Sequence, residues 1–171
     1  AGLPDHVLLV IASAYAEFVS RNDYAPGIEM VSAHDNVVMT RTFSKIYGLA
    51  ALRVGWAYCP TEIAMVFHRV RGPFNVNAAA QAAALAALRD IRHTDEARAH
   101  NDQWLAWTRK QLLGLGLDVP ASAGNFVLAR FPDARGRNEN AAEAADRFLK
   151  DRGIIVRAMK SYGLDDCLRI T

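Results

Sequence analysis

One lysine in a hydroxyl-rich turn is the residue of this sequence best placed to do chemistry. It lies in the stretch Thr40-Arg-Thr-Phe-Ser-Lys-Ile-Tyr-Gly-Leu-Ala-Ala-Leu-Arg-Val-Gly55. Thr42 and Ser44 can donate hydrogen bonds to a phosphate, and Arg53 can add a fixed, bidentate positive charge. Lys45 can form a Schiff base with an aldehyde when its amine is uncharged. The set therefore suits a ligand that carries both an aldehyde and a phosphate.

Lysine is scarce in this sequence, which makes Lys45 stand out. Of the 20 residues that are lysine or arginine, only four are lysines: Lys45, Lys110, Lys150 and Lys160. A surface turn with one solvated lysine is the alternative interpretation of the same stretch. The residue types by themselves leave both interpretations open.

The elements around this turn alternate between strands and helices, which is typical of an α/β fold. The apolar run from Val7 to Ile11 predicts a strand that is buried on both faces. Further strands are expected over residues 36–40 and 53–58. Helices are expected from Thr61, which can act as a cap, from Ala78 to Ile91 after Asn77 as N-cap, and from about Thr94 to Leu115.

The remaining residues have the pattern of a smaller α+β unit. Strands are expected over residues 125–131, 154–157 and 167–171, and a helix from Ala141 to Arg152 should end at Gly153. A polar surface loop is expected over residues 132–138. We place one domain over residues 1–93 and a second over residues 94–171. Because the chain opens and closes inside strands, we expect a fragment at both ends.

Composition excludes several classes of protein. The formal net charge is +2, so no strong field favours nucleic acid or a membrane surface. No apolar run approaches the roughly 20 residues that a membrane-spanning helix needs. The two cysteines and five histidines lack the spacing of a metal site or a disulfide framework. We therefore expect a soluble, cytoplasmic protein without a metal.

The stretch from Thr42 to Gly55 resembles the cofactor-lysine motif of class I/II aminotransferases, especially histidinol-phosphate aminotransferases. Further segments resemble this family in the same order along the chain. They are Ala14-Tyr-Ala-Glu-Phe18, Pro73-Phe-Asn-Val-Asn77, Asn125-Phe-Val-Leu128, Arg152-Gly-Ile-Ile-Val-Arg157 and Leu168-Arg-Ile-Thr171. The resemblance covers essentially the whole chain and corresponds to the C-terminal half of the family.

This resemblance implies a fold type I transferase that depends on pyridoxal 5′-phosphate (PLP). The chain would hold part of the large domain, with a mainly parallel sheet, and a small α+β C-terminal domain. The implied reaction transfers an amino group between histidinol phosphate and 2-oxoglutarate in histidine biosynthesis, in a homodimer. Two alternatives stay open: a related PLP enzyme, such as a threonine-phosphate decarboxylase or another aminotransferase, and an inert fragment that serves as a structural or interaction module.

The resemblance also implies roles for the residues around the cofactor. Lys45 would bond the C4′ carbon of PLP and then move the proton during the transfer. Tyr15 would hydrogen-bond the 3′-oxygen of the ring. Thr42, Ser44 and Arg53 would hold the cofactor phosphate.

Two arginines are implied in substrate binding, and one family position is changed. Arg169 would bind the α-carboxylate of the amino acid, and Arg157 would contact the phosphate of the substrate. Where the family has Asp-Glu, this sequence has Ala12-Ser13. The carboxylate that pairs with the pyridinium nitrogen, and so tunes the ring as an electron sink, is therefore missing.

Overall fold

The computed structural model describes residues 3–4, 6–132 and 140–171 and divides the chain into two compact units. The first comprises Ala1–Arg98 and the second Ala99–Thr171. The division lies inside a long helix, α4 (Ile91–Gly114), as does the predicted domain border between residues 93 and 94. Each unit contains a three-stranded sheet with helices, in keeping with the predicted α/β class.

The first sheet is formed by β1 (Leu9–Ala12), β2 (Val37–Thr42) and β3 (Gly55–Tyr58), in that spatial order. β1 runs parallel to β2, and β3 runs antiparallel to it. All three predicted strands are present with shifted ends. The parallel pairing brings the carboxyl ends of β1 and β2 to the same edge, where Ala12 is the partner of Thr40.

One cluster of buried side chains in the first unit lies on one face of this sheet. Val31 of helix α1 (Ile28–Ala33) packs with Val37 and Met39 of β2, all three buried. Burial of such side chains is worth about 1.5–3 kcal/mol each. On β1, however, every second residue is exposed, and Val10 is 53% exposed. The expectation that β1 is buried on both faces is wrong. Among the described residues, Leu9 and Ile11 on one face of β1 pack against the buried cluster, and Val10 and Ala12 on its other face are exposed.

The two predicted helix starts that follow in the first unit have different outcomes. Helix α3 (Ala78–Arg89) begins as predicted, because the Asn77 side chain accepts a hydrogen bond from the Ala80 amide at 2.8 Å. Helix α2 (Thr61–Val70) begins at Thr61 itself, so the expectation that Thr61 is a cap is wrong. Pro60 precedes the helix there and supplies no side-chain hydrogen bond.

Helix α4 begins three residues earlier than predicted. The Asp90 side chain accepts a hydrogen bond from the His93 amide at 3.0 Å and so caps the first turn. An aspartate in this position satisfies one of the amides that a helix start leaves without a partner.

Within the described residues, no helix combines the length and apolar character that crossing a bilayer would require.

The second unit has an antiparallel sheet in the order β4 (Val127–Arg130), β6 (Cys167–Ile170), β5 (Arg157–Ala158). Helix α5 (Ala141–Lys150) is capped by Asn140, whose side chain accepts from the Ala142 amide at 2.8 Å. The buried side chains of this unit come from the sheet, from α5 and from the segment before β4: Val119, Val127, Ala129, Ala142, Cys167 and Leu168. Residues 133–139, where most of a surface loop was predicted, lie outside the described residues.

The strand expected over residues 154–157 is mostly absent, since β5 contains only Arg157 and Ala158. The reason is the way in which α5 ends. The Ile154 amide donates to the Leu149 carbonyl at 2.9 Å, and the Gly153 amide donates to the Lys150 carbonyl at 2.9 Å. With Gly153 at φ +76°, this is the Schellman arrangement. The Ile154 amide therefore closes the helix and cannot pair with a neighbouring strand.

Candidate functional site

Lys45 lies in a compact turn that follows β2 directly. The Leu49 amide donates to the Phe43 carbonyl at 2.9 Å, and the Gly48 amide donates to the Lys45 carbonyl at 2.9 Å. Gly48 adopts φ +69°, which a side chain would strain. Phe43 and Ile46 are buried and anchor the turn, and Lys45 between them is half-buried. The lysine is therefore held on a fixed backbone and is not a fully solvated surface residue.

The ammonium group of Lys45 lies 5.2 Å from the centre of the Tyr15 ring. Tyr15 follows β1 and precedes the short 3₁₀ helix Ala16–Phe18. The hydrogen bond from the Ser13 amide to the Thr40 carbonyl, at 2.9 Å, continues the pairing of the two strands past the end of β1. Because β1 and β2 are parallel neighbours, the segments that follow them leave the sheet at the same edge. Tyr15 and Lys45 lie in these two segments.

The three residues predicted to bind the cofactor phosphate lie in the same turn: Thr42, Ser44 and Arg53. The Ser44 amide donates to the Thr42 hydroxyl at 3.0 Å. A guanidinium nitrogen of Arg53 donates to the Ala50 carbonyl at 2.7 Å and lies 3.5 Å from the Ser44 hydroxyl. Arg53 has φ +52°, an uncommon backbone conformation for a residue with a side chain. The turn therefore presents two hydroxyls and one exposed cation side by side, a set suited to a phosphate group.

β3 can approach this turn closely because it begins with a glycine. A Cβ atom at Gly55 would lie 2.6 Å from the Arg41 carbonyl oxygen. Gly55 is the register partner of Thr42, and the Phe43 amide donates to the Val54 carbonyl at 3.1 Å. The start of β3 therefore holds Thr42 and the turn after it in place.

The structure contains no carboxylate where the family has its acidic pair. Ala12 is the exposed last residue of β1 and ends in a methyl group. Ser13 is buried, and its hydroxyl donates to the Pro26 carbonyl at 2.7 Å. The residues present thus fit the aldehyde and phosphate ends of PLP, and Ala12 offers no anionic partner for the ring nitrogen.

In the second unit, Arg157 and Arg169 are register partners on the antiparallel strands β5 and β6. The Arg169 guanidinium lies 5.2 Å from the Phe126 ring centre, and its Nε is buried without a hydrogen bond among the described residues. Arg157 donates to the Tyr162 hydroxyl at 3.2 Å. Like charges on opposite residues destabilise a sheet unless an anion lies between them. The two arginines therefore share one face of this sheet, and the Arg169 Nε is a donor without a partner among the described residues.

Three charged residues and one histidine near the Lys45 turn were not anticipated from the sequence. Arg41 and Glu17 form an ion pair at 2.7 Å, with side chains only 12% and 13% exposed. Arg98 donates to the Glu17 carbonyl at 2.9 Å, and His93 Nε2 lies 3.2 Å from the Ile46 carbonyl. One signal was available for the pair, because Glu17 lies within the Ala14–Phe18 segment and Arg41 lies at the start of the stretch that contains Lys45.

These charges act on the neighbouring tyrosine as well. Burial raises the pKa of Tyr47, and the Glu17 carboxylate raises it further, whereas Arg41 and Arg98 oppose the rise. The Tyr47 ring packs 4.9 Å from the Phe43 ring, centre to centre. Among residues 3–4, 6–132 and 140–171, no three His, Cys, Asp or Glu side chains are grouped so as to hold a metal ion.

Comparison with known proteins gives consistent results. The model of the family "aminotransferase class I and II" matches residues 4–171. A histidinol-phosphate aminotransferase of Paramagnetospirillum magneticum is 58% identical over all 171 residues, and one of Rhodospirillum centenum is 57% identical over the same length. The chain spans 46% of the length of each of these relatives.

A solved structure agrees with this assignment. The crystal structure of histidinol-phosphate aminotransferase from Sinorhizobium meliloti, in complex with pyridoxal-5′-phosphate, superposes with a TM-score of 0.85 at 32% sequence identity. The superposition covers 99% of this chain and 45% of that one. By its sequence match and its fold, the chain belongs to the class I and II aminotransferase family.

Proposed function

We propose that these residues are part of a PLP-dependent aminotransferase that converts histidinol phosphate with 2-oxoglutarate as amino acceptor. The observation that carries the proposal is the Lys45 ammonium, 5.2 Å from the Tyr15 ring and in the same turn as Ser44 and Arg53. Relatives that are 57–58% identical carry the name of this enzyme. As the family resemblance implies, we further propose a cytoplasmic homodimer in histidine biosynthesis.

When bound, PLP supplies the electron sink that lets the amino group leave one substrate and join another. Lys45 would hold the cofactor covalently through its amine and would afterwards carry the proton between carbon atoms. Tyr15 would donate a hydrogen bond to the 3′-oxygen of the ring. Thr42, Ser44 and Arg53 would bind the phosphate with two hydroxyls and one guanidinium.

Arg157 and Arg169 would bind the two acidic groups of the substrates. Arg169 is assigned to the α-carboxylate of the amino acid, and Arg157 to the phosphate of histidinol phosphate. The register of β5 and β6 supports this proposal, because it places two cations opposite each other and leaves the buried Arg169 Nε without a partner among the described residues. An anionic substrate group would reduce the repulsion between the two cations and would accept a hydrogen bond from the Arg169 Nε.

A second candidate is an inert scaffold of the same fold. Ala12 favours it, because a protein without the carboxylate at this position loses the ion pair that keeps the pyridine nitrogen protonated. Such a protein would retain the lysine turn as a remnant and would act only through its surface. The two candidates differ in whether Lys45 still reacts with PLP and in whether substrate then changes the bound cofactor.

The test is addition of PLP, followed by borohydride reduction and peptide mapping. We expect a visible absorption band and a label on Lys45, both lost in Lys45→Arg and both kept in the matched control Lys110→Arg. A label on Lys110, Lys150 or Lys160 with Lys45 unmodified would contradict the assignment. Without borohydride, histidinol phosphate should bleach the band, whereas release of carbon dioxide from O-phosphothreonine would indicate a decarboxylase.

A further inference from the structure

We propose that Glu17 and Arg41 are positioning residues whose buried ion pair fixes the approach of the Lys45 amine to the Tyr15 ring. The inference rests on the proposed function, since it assigns the pair a task toward the cofactor lysine. Glu17 lies two residues after Tyr15, and Arg41 lies four residues before Lys45. The ion pair therefore joins the two chain segments that carry the proposed cofactor residues.

The contacts of Arg41 explain why it can hold both segments. Its terminal nitrogen lies 2.7 Å from the Glu17 carboxylate, and its guanidinium lies 5.8 Å from the Trp56 ring centre on β3. Arg41 is also the register partner of Trp56. One side chain of β2 thus reaches from β3 to the segment that follows β1, shortly before the Lys45 turn in the chain.

A second set of contacts comes from the first two turns of α4. Arg98 donates to the Glu17 carbonyl at 2.9 Å and also pairs with Asp95 at 3.0 Å. His93 Nε2 lies 3.2 Å from the Ile46 carbonyl, next to Lys45, and must donate there because a carbonyl only accepts. α4 therefore contacts the backbone of both segments near the proposed cofactor groups, in addition to the ion pair.

Stability alone gives no reason for an ion pair at this position. Desolvation of two buried charges offsets most of their attraction, and apolar residues of similar volume often replace such pairs without loss. A pair of this kind is better suited to fixing one geometry among several. Here the geometry that it fixes is the distance between two segments that carry groups for the same ligand.

The test measures the approach of Lys45 to Tyr15 in the cofactor-free protein, encoded by its complete reading frame. Lysines are converted to ¹³C-dimethyl-lysine, and the Lys45 resonance is identified by its absence in Lys45→Arg. A tyrosine ring shifts the resonances of methyl groups above its face upfield, and Tyr15→Leu defines the unshifted position. We expect Glu17→Gln and Arg41→Met each to move the Lys45 resonance to that position.

Two further variants separate positioning from a general effect on folding. Arg41→Lys keeps the charge and should retain part of the upfield shift. The double variant Glu17→Gln/Arg41→Met should have no larger effect than either single change, as expected for residues that act as a unit. The matched control is Arg21→Gln, which breaks the exposed Arg21–Asp23 pair and should leave the resonance in place.

A second readout uses PLP. In the single variants, the rate of cofactor attachment at Lys45 should fall on the order of a hundredfold, the loss typical of a roughly 1 Å misplacement of a reacting group. An unchanged Lys45 resonance in folded Glu17→Gln and Arg41→Met would overturn the proposal. Unfolding of every variant, including Arg41→Lys, would also overturn it, because the pair would then hold the fold and not the site.

The two proposals fail in different ways. If the wild-type protein does not attach PLP at Lys45, the proposed function fails, whatever the resonances show. If the wild-type protein attaches PLP and the ion-pair variants do so at the same rate, only the positioning role fails. The resonance of Lys45 without cofactor is independent of both results.

Discussion

Arg157 and Arg169 face each other as register partners on β5 and β6, and the buried Nε of Arg169 makes no hydrogen bond among the described residues. Two cations in this relation repel each other until an anion lies between them. Loss of either arginine should therefore lower kcat/KM for the substrate whose acidic group it binds.

We predict that Arg157→Gln and Arg169→Gln impair different substrates. Arg157→Gln should lower kcat/KM for histidinol phosphate more than for glutamate, and Arg169→Gln should do the reverse. Each loss should be about 1.5–3 kcal/mol, or roughly ten- to a hundredfold, as for a hydrogen bond to a charged group. Steady-state kinetics with both substrates measures these losses. Arg152→Gln is the control, because Arg152 stacks on Phe148 and has no proposed role in substrate binding. Equal losses for both substrates would refute the division of roles.

We predict that Ala12→Asp raises the rate of amino transfer by roughly a hundredfold or more. Loss of one partner of a charged pair that the bound cofactor would bury costs about 3 kcal/mol, and restoring the carboxylate should return that amount to the transition state. Ala12 is exposed at the end of β1, so the larger side chain has room. PLP affinity should change far less, because the lysine and the phosphate contacts do not depend on this residue.

Single-turnover kinetics at saturating cofactor is the measurement for Ala12→Asp, made in the protein encoded by the complete reading frame. Ala12→Asn is the matched control, since asparagine has the shape of aspartate without its charge and should gain little. Equal rates for the wild type and Ala12→Asp would show that this position does not face the pyridine nitrogen. The correspondence with the family's Asp-Glu pair would then have to be abandoned.

We predict that titration of Tyr47 destabilises the protein at high pH. Burial and the Glu17 carboxylate raise the pKa of Tyr47 above its ordinary value of 10.0, so the folded state favours the neutral phenol. Stability from this residue is complete below about pH 10 and is lost as the pH rises through the higher, folded-state pKa. The free energy of unfolding should therefore fall more steeply above about pH 10 in the wild type than in Tyr47→Phe.

The pKa of Tyr47 also tests whether the neighbouring charges shift it in the expected directions. Glu17→Gln removes a negative charge and should lower the pKa of Tyr47, whereas Arg41→Met removes a positive charge and should raise it. Ultraviolet difference titration against Tyr47→Phe isolates this one phenol. Shifts in the same direction for both variants would show that solvent exposure, and not charge, controls the titration.

We predict that the 171-residue chain self-associates or folds poorly when produced alone. Among the described residues β1 pairs only with β2, and its residue Val10 is 53% exposed. An apolar edge strand with free backbone groups invites pairing with another chain. Size exclusion and thermal unfolding test this, and a sharp monomeric peak with cooperative unfolding would contradict it.

A charge on that strand should reduce the association. Val10→Lys places a lysine on the edge, a common way in which proteins block such pairing. Met65→Lys on α2 is the control, because Met65 is similarly exposed, at 51%, but lies on a helix. If both variants reduce association equally, exposed apolar surface in general is responsible and not the strand edge.

The sequence by itself determined what depends on residues close together in the chain. The alternation of apolar runs and helical segments predicted the α/β class, and Asn77 predicted the start of α3, because caps and periodicity are local. The Lys45 motif could be recognised for the same reason, since Thr42, Ser44 and Arg53 reach one another within a single turn. The roles assigned to these residues stay predictions.

Only the tertiary structure decided which distant residues meet. The register of β1 with β2 sets Tyr15 beside Lys45, the register of β5 with β6 sets Arg157 opposite Arg169, and the Glu17–Arg41 pair joins positions 24 residues apart. A register shift of two residues would keep each strand's side chains on the same face, so the alternation of apolar and polar residues along a strand does not exclude that shift. These contacts follow from packing of whole elements, which a local pattern does not contain.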